Sequence, residues 1–242
     1  MRPRRSALRS TLSTRDGKSR YVRWLFSAIA DRYDLITVVL SYGQDRRWKK
    51  RLVDRADLAA GSRVLDAAAG TGDIAFECAR RGARVVGLDI TRRMVELARQ
   101  KSPTDASGPR FLVGDMMAMP FRDASFDVVT TGYGLRNVPE IAVAVRELAR
   151  VLRPGGQLLS LDFDKPRNRV LRVIYFSYLT LVGSLLGLVM HRDPDTYRYI
   201  PESLRNYPGA EGVARLMRDQ GFAEARFEPV LGGLMAVHVA RR

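Results

Sequence analysis

Cysteine and histidine are nearly missing from this chain of 242 residues, and acidic side chains are outnumbered. The one cysteine, Cys78, excludes an internal disulfide, and its place inside a helical pattern makes it a small core residue of a reducing compartment. The two histidines, His191 and His238, stand far apart with no ligand-like spacing, so no metal is expected. No apolar segment follows the first basic residues, which argues against a secretory signal, and no repeat or low-complexity run divides the chain. With 26 Asp and Glu against 41 Lys and Arg the net charge is +15, which draws the surface to polyanions, either nucleic acid or an anionic lipid face.

Much of that charge lies at the start, where residues 1–20 hold seven Arg or Lys against Asp16. The stretch is Arg-rich and Ser-rich like a mitochondrial transit peptide but lacks an amphipathic stripe. We expect a disordered tail over 1–20 in a protein of the bacterial cytoplasm, followed by one domain over 21–242. In the basic run Arg46–Arg51 only Trp48 is aromatic, and no RNA-binding module is present, so nucleic acid is not the expected partner.

What the chain does have is alternation. Tyr21–Leu52 has the pattern of two helices that cap whatever follows, within a cap over 21–60. Strands are then expected at 63–66, 84–89, 110–114, 126–132 and 157–163, with helices at 73–81, 91–101 and 139–152. Such alternation calls for an α/β, doubly wound parallel sheet. Arg153-Pro154-Gly155-Gly156 closes the third helix, an insertion spans 166–200, and strands near 225–230 and 234–240 form an antiparallel edge hairpin.

The chemistry concentrates at the first turn of that sheet. Val64-Leu65 runs into Asp66, and Gly70 and Gly72 allow a tight turn that brings backbone N–H groups and a helix N-terminus to a ligand. Asp89 ends the next strand, where a carboxylate accepts both hydroxyls of a ribose. Gly70-Thr71-Gly72-Asp73-Ile74-Ala75 also fits a dinucleotide fingerprint. Asp66 suits the ammonium of an amino acid, and Asp115, after the third strand, suits an adenine amino group. An amino acid joined to adenosine is S-adenosylmethionine.

Val173–Met190 is eighteen residues without a charge, flanked by Arg167, Arg169, Arg172 and Arg192. It touches the lower limit of a membrane span. Ser177, Thr180, Gly183, Ser184 and Gly187 dilute it, leaving three readings: a span, a buried helix, or a lid touching lipid or a lipid-tailed ligand.

Several stretches together resemble the ubiquinone/menaquinone biosynthesis C-methyltransferase family. They include Tyr33-Asp34, Gly70-Thr71-Gly72-Asp73, Gly87-Leu88-Asp89-Ile90, Gly134-Leu135-Arg136-Asn137-Val138 and Tyr197-Arg198-Tyr199 with Glu202-Ser203 and Arg205. The resemblance runs from about Phe26 to Val239. It implies a Rossmann-like methyltransferase fold, S-adenosylmethionine as cofactor, and methylation of a ring carbon of a polyprenylated quinol. It places donor contacts on Thr71, Asp89, Ile90, Asp115, Met116 and Gly132, beside Asp66, Gly70 and Gly72 of the loop. The sequence departs from the family's usual residues at Ala69 (glycine), Ile36-Thr37 (Met-Asn), Asp45 (histidine), Gly132 (serine), Asp162 (glutamate) and Asp164 (serine), so another lipid-like or small-molecule acceptor stays open. An RNA methylase and a nonenzymatic donor-binding subunit are the other classes.

Ring methylation needs an electron-rich quinol and no metal, with groups that place the carbon and stabilise a phenolate. Arg136, after the fourth strand, is the first candidate, as a permanent cation. Tyr33, Asp34 and Asn137 complete a proton path in this reading. Asn137 as a helix cap, Asp34 as a surface ion pair and Tyr33 as packing are the alternatives. His238 is expected as a packed histidine. Contact with a membrane through 170–192 and a homodimer through the N-terminal helices are compatible with the sequence.

Overall fold

The computed structural model of the chain describes residues 11–41, 43–103 and 108–242, so the first ten residues of the expected tail lie outside the described residues. The rest of that tail is not disordered. Helix α1 (Arg15–Ile29) begins where Thr14 accepts a hydrogen bond from the Gly17 N–H at 3.2 Å, with Asp16 in its first turn. Lys18 Nζ then donates to the Arg136 and Val138 carbonyls at 3.0 and 2.6 Å, which pins the segment to the domain. The cap is three helices instead of two, because a 3₁₀ turn (Ala30–Arg32) breaks the first pattern before α2 (Tyr33–Leu40) and α3 (Asp45–Val53).

Seven strands follow: β1 (Arg63–Ala67), β2 (Arg84–Asp89), β3 (Arg110–Val113), β4 (Phe126–Gly132), β5 (Leu152–Phe163), β6 (Glu224–Val230) and β7 (Met235–Arg241). Their order across the sheet is β3-β2-β1-β4-β5-β7-β6, with β1 to β5 parallel and β7 antiparallel to both neighbours. The chain steps outward from β1 to β3, then crosses back to β4. The crevice beyond the carboxyl ends of β1 and β4 is therefore the topological switch point, where such sheets hold ligands.

A parallel sheet must be covered on both faces, and adjacent residues of each strand supply the two faces. Val64, Val128 and Leu159 pack with Trp48 and Leu52 of α3, with Ile74 and Cys78 of α4 (Asp73–Ala79), and with Val95 of α5 (Arg92–Lys101). Leu65, Val129 and Leu158 pack on the opposite side against Val145 and Leu148 of α6 (Ile141–Val151). Val213 and Met217 of α9 (Gly209–Asp219) close that layer. His238 is a core residue, as expected, and its Nε2 meets the Ala210 carbonyl at 2.9 Å.

The start of β5 differs from the sequence reading. The Pro-Gly-Gly turn lies within β5: pairing jumps from Phe126–Leu152 to Val128–Gln157, and Gly155 takes a φ of +75°. The C-terminal antiparallel hairpin forms the sheet edge as expected, with β7 paired to β5 and β6 outermost.

The insertion is helix α7 (Arg169–His191) followed by α8 (Tyr199–Asn206). Asn168 caps α7 by accepting from the Val170 and Leu171 N–H groups. Its buried residues, Tyr175, Leu179, Gly183 and Gly187, recur every four positions, so one narrow stripe faces the protein. Only 22% of its most apolar window is buried, which removes the buried-helix reading. Tyr197 and Tyr199 join Tyr21, Val22, Leu25, Ile29 and Ile36 in a small separate core that joins the cap to the insertion.

Leu148 is fully buried between α6 and the sheet. We expect Leu148→Ala to lower stability by roughly 2–5 kcal/mol, measured as a lower urea midpoint with an unchanged slope.

Candidate active site

At the switch point the backbone is bent into conformations that bring amides together. Ala68, Gly70 and Gly72 have φ of +58°, +56° and +94°. At Gly72 a Cβ would stand 2.8 Å from the rings of Phe76 and Phe111, so the loop and the start of α4 tolerate no side chain there. Asp89 ties the loop to β2, accepting from the Gly70 N–H and the Thr91 N–H at 2.8 Å each. Its burial raises its pKa, and those two N–H bonds offset the rise only in part. Asp66 lies beneath the loop, accepting from Thr130 Oγ1 at 2.9 Å and from the Ala75 N–H at 3.1 Å.

The resulting cavity is walled by Gly70, Asp89, Ile90, Asp115, Met116, Gly132 and Asn137, among others. Six of the expected donor contacts thus share one wall. Asp66, Thr71 and Gly72 are not on it. Asp66 braces the loop from inside, Gly72 packs under phenyl rings, and Thr71 Oγ1 donates to Asp34 Oδ1 at 2.6 Å. Asn137 donates through Nδ2 to the Tyr133 carbonyl at 2.7 Å, while its Oδ1 is buried without a partner among the described residues. An acceptor atom left over on a wall of glycine amides and carboxylates fits a polar ligand with its own donors, as an adenosyl group has.

Beside it lies a second cavity of about 480 Å³, almost wholly apolar, between α1, α2, α7 and the ends of β4 and β5. Phe26, Tyr33 and Tyr133 line both cavities, so these rings are the partition between them. Arg136 lies on the apolar cavity, 6% exposed. Its Nε donates to Asp162 Oδ1 at 3.1 Å, its Nη1 to Ser203 Oγ at 2.8 Å, and its guanidinium stacks 4.8 Å from the Phe163 ring. Of the other three catalytic candidates, Tyr33 is on the partition and Asn137 faces the first cavity. Asp34 lines neither, holding Thr71 and Lys101.

Sequence reasoning singled out neither Tyr133 nor Lys49, and it noted Asp45 only as a departure. Tyr133 is nearly buried at the end of β4 with a φ of +59°, strained for a bulky residue. Its Oη donates to Asp45 Oδ1 at 2.9 Å, and Asp45 Oδ2 pairs with Lys49 Nζ at 2.5 Å. The signal available was a Tyr between two glycines at a strand end, which does not reveal its partner.

Residues 14–242 match the model of the ubiE/COQ5 methyltransferase family. The chain belongs to that family. It is 41% identical to the demethylmenaquinone methyltransferase of Thermus thermophilus over 90% of this chain and 100% of the relative. It is 40% identical to the ubiquinone/menaquinone biosynthesis C-methyltransferase UbiE of Dinoroseobacter shibae, over 92% and 91%. Among solved structures, a Thermotoga maritima S-adenosylmethionine-dependent methyltransferase superposes with a TM-score of 0.63 at 20% identity, covering 91% of this chain and 99% of that one. A Haemonchus contortus phosphoethanolamine N-methyltransferase with bound S-adenosylhomocysteine superposes at 0.61 and 16% identity, over 81% and 52%. The cofactor of this methyltransferase is S-adenosylmethionine, and the Rossmann-like expectation holds.

The departures of this methyltransferase from the family's usual residues fall mostly around the apolar cavity. Ile36, Thr37 and Asp45 line it, and Asp162 holds Arg136 there. Asp164 instead caps α9 by accepting from the Ala210 N–H at 3.0 Å. At Gly132 a Cβ would meet Ile74 Cδ1 at 2.6 Å, so the missing side chain is matched by that neighbour.

Burial lifts the Asp66 pKa to about 7, against the opposing bonds from Thr130 and Ala75. The native state then keeps a proton that the unfolded chain releases near pH 4, and stability falls as pH rises between those values. Asp66→Asn removes this titration. Its stability relative to the parent should rise across that interval in urea titrations, and a flat difference would contradict the assignment.

Proposed function

We propose that this enzyme methylates a ring carbon of a reduced, polyprenylated quinone at the inner face of a bacterial membrane, with the apolar cavity as the acceptor site. The observation that carries this is the shared partition: a donor cavity and an apolar cavity separated by Phe26, Tyr33 and Tyr133. The relatives' names point to the same acceptor class. S-adenosylmethionine supplies an electrophilic methyl group. Gly70, Asp89, Ile90, Asp115, Met116 and Gly132 hold it in this reading, while Asp66, Thr71 and Gly72 shape the loop.

Arg136 stays cationic and stabilises the negative charge of the quinol oxygen as the ring becomes nucleophilic. Asp162 and Ser203 fix its direction. Tyr33 closes the partition, Asn137 orients Tyr133 through its carbonyl, and Asp34 clasps the glycine loop from outside. The cap over 21–60 and the insertion over 166–200 exclude water from the acceptor, as a single methyltransferase domain with two appendages.

Helix α7 meets the bilayer in this reading. Val170, Val173, Leu181, Leu185 and Val189 are each 60% or more exposed, and Arg167, Arg169, Arg172 and Arg192 are exposed at its ends. Leu171 and Ile174 are both exposed and part of the cavity wall, so the rim opens where the apolar face begins. Apolar side chains between cations suit a helix lying on anionic lipid.

Turnover of labelled S-adenosylmethionine with detergent-dispersed demethylmenaquinol, kept reduced, tests the reaction. Label should enter the reduced lipid and not its oxidised form, and no transfer despite donor binding would redirect the search to another acceptor. In a flotation assay with vesicles containing phosphatidylglycerol, Leu185→Ser with Val189→Ser should lower binding at least tenfold, since each lost side chain removes roughly 1.5–3 kcal/mol of burial. Equal flotation of parent and variant would remove α7 as the contact.

A further inference from the structure

Replacing a ring hydrogen by a methyl group from a sulfonium releases one proton per turnover, and the acceptor cavity, which opens beside the exposed Leu171 and Ile174 of α7, is almost wholly apolar. Among the described residues, the groups that hold the Arg136 guanidinium are already engaged. A guanidinium has donors only, and both oxygens of Asp162 are taken, Oδ1 by Arg136 Nε and the Phe163 N–H and Oδ2 by the Arg136 N–H.

A different route crosses the opposite wall. Tyr133 stands on the partition, and its Oη donates to Asp45, a carboxylate 2% exposed that lines the acceptor cavity. Asp45 pairs at 2.5 Å with Lys49, whose Nζ also donates to Asp73 Oδ2 at 2.8 Å. Lys49 and Asp73 line an outer cleft that does not include Asp45. The Asp73 side chain is 33% exposed. The Asp45–Lys49 pair is thus the septum between acceptor cavity and solvent, and hydrogen bonds run unbroken from one to the other.

We propose that Tyr133, Asp45, Lys49 and Asp73 form a proton exit: the acceptor hydroxyl gives its proton to Tyr133 Oη as Tyr133 gives its own to Asp45. This rests on the quinol reading of the apolar cavity. The acceptor O–H bond breaks and leaves its electron pair on the ring oxygen, an O–H bond forms at Tyr133, and Tyr133's former proton becomes an Asp45 carboxyl proton; after methyl transfer the C–H bond at the methylated carbon breaks, its electron pair restores the aromatic ring, and its proton remakes the O–H bond on that oxygen. Asp45 then passes it to Lys49 as Lys49 passes one of its own to Asp73, which releases that proton to water. All four groups end as they began, and no oxidant or reductant is needed. Tyr133 touches the acceptor and is the catalytic group; Asp45, Lys49 and Asp73 act through it.

The charges fit this order. Burial and the neighbouring Asp45 carboxylate hold the Tyr133 hydroxyl well above its ordinary pKa, so it passes a proton without resting as a tyrosinate. Burial works to lower the Lys49 pKa, but Asp45 and Asp73 outweigh it and keep the ammonium charged. The other groups facing this line are Tyr33, whose hydroxyl burial pushes up to about 12, the Arg136, Arg46 and Lys101 cations, and the Asp89, Asp66 and Asp162 carboxylates.

The test uses the full chain, reduced demethylmenaquinol and a donor-binding titration. Asp45→Asn keeps an acceptor for Tyr133 but cannot take a proton. We expect kcat to fall about 100-fold or more, the donor Kd to stay within about twofold, and the acid limb of the kcat–pH profile to vanish. Tyr133→Phe should fall similarly, and the double variant no further. Asp45→His, the family's usual residue, should regain most of the activity with its acid limb moved toward the ordinary histidine range near ~6.5. A parental kcat and profile in Asp45→Asn, additive losses in the double variant, or an Asp45→His limb superimposed on the parent's would each overturn the exit. If Asp45→Asn does not fold, a parental kcat in Tyr133→Phe does the same. A parent that binds donor but never turns over a quinol would sink the acceptor reading and this route with it. An active parent with unaffected variants sinks the route alone.

Discussion

A guanidinium cannot be buried in an apolar wall unless its donors are met, and Arg136 is buried where the sheet, the cap and the insertion converge. Asp162, from β5, meets its Nε and its backbone N–H; Ser203, from α8, meets Nη1; and its carbonyl receives Lys18 of α1. Each of these partners comes from a different element, so the cation fixes their relative positions. Removing Asp162 or Ser203 leaves the buried cation less satisfied, and removing Lys18 frees the Arg136 carbonyl, which couples the order of the appendages to the order of the sheet end.

That dependence explains why the cap and insertion share a small core of their own. Tyr21, Val22, Leu25, Tyr197 and Tyr199 pack together above the polar cluster, away from the two layers that flank the sheet. The sheet and its helices need only alternation of apolar residues to form. The chamber over the switch point needs two distant segments, near residues 20 and 198, to meet over a charge.

The difference marks what could be seen in the sequence. Strands β2 and β4 were legible residue by residue, because Val85-Val86-Gly87-Leu88-Asp89 and Phe126-Asp127-Val128-Val129 are apolar runs bounded by turn residues. The place of Asp89, Asp115 and Gly70 on the crevice wall was legible because strand ends and the turns after them open there whatever the rest of the chain does. Asp66 and Thr71 were not, because a carboxylate before the loop and a hydroxyl within it face inward or outward depending on single torsions, and here they meet Thr130 and Asp34. The helical state of residues 15–20 was hidden by their charge: Lys18 looks solvated until two carbonyls more than a hundred positions away are brought to it. Tyr133 was hidden for the same reason, since nothing local announces Asp45.

The partition between the two cavities carries a further consequence. Phe26, Tyr33 and Tyr133 belong to both walls, so any displacement that one ligand imposes on those rings alters the free energy of the other. Linkage makes that effect mutual and equal: the factor by which a bound donor changes acceptor affinity is the factor by which the acceptor changes donor affinity. The spent donor differs from the fresh one by a single methyl group and a charge, both at the partition if transfer is in line. Three aromatic rings are then shared apparatus, among the described residues, through which the acceptor chamber can register which form is present, and retention or release of the spent donor depends on how tightly those rings are packed.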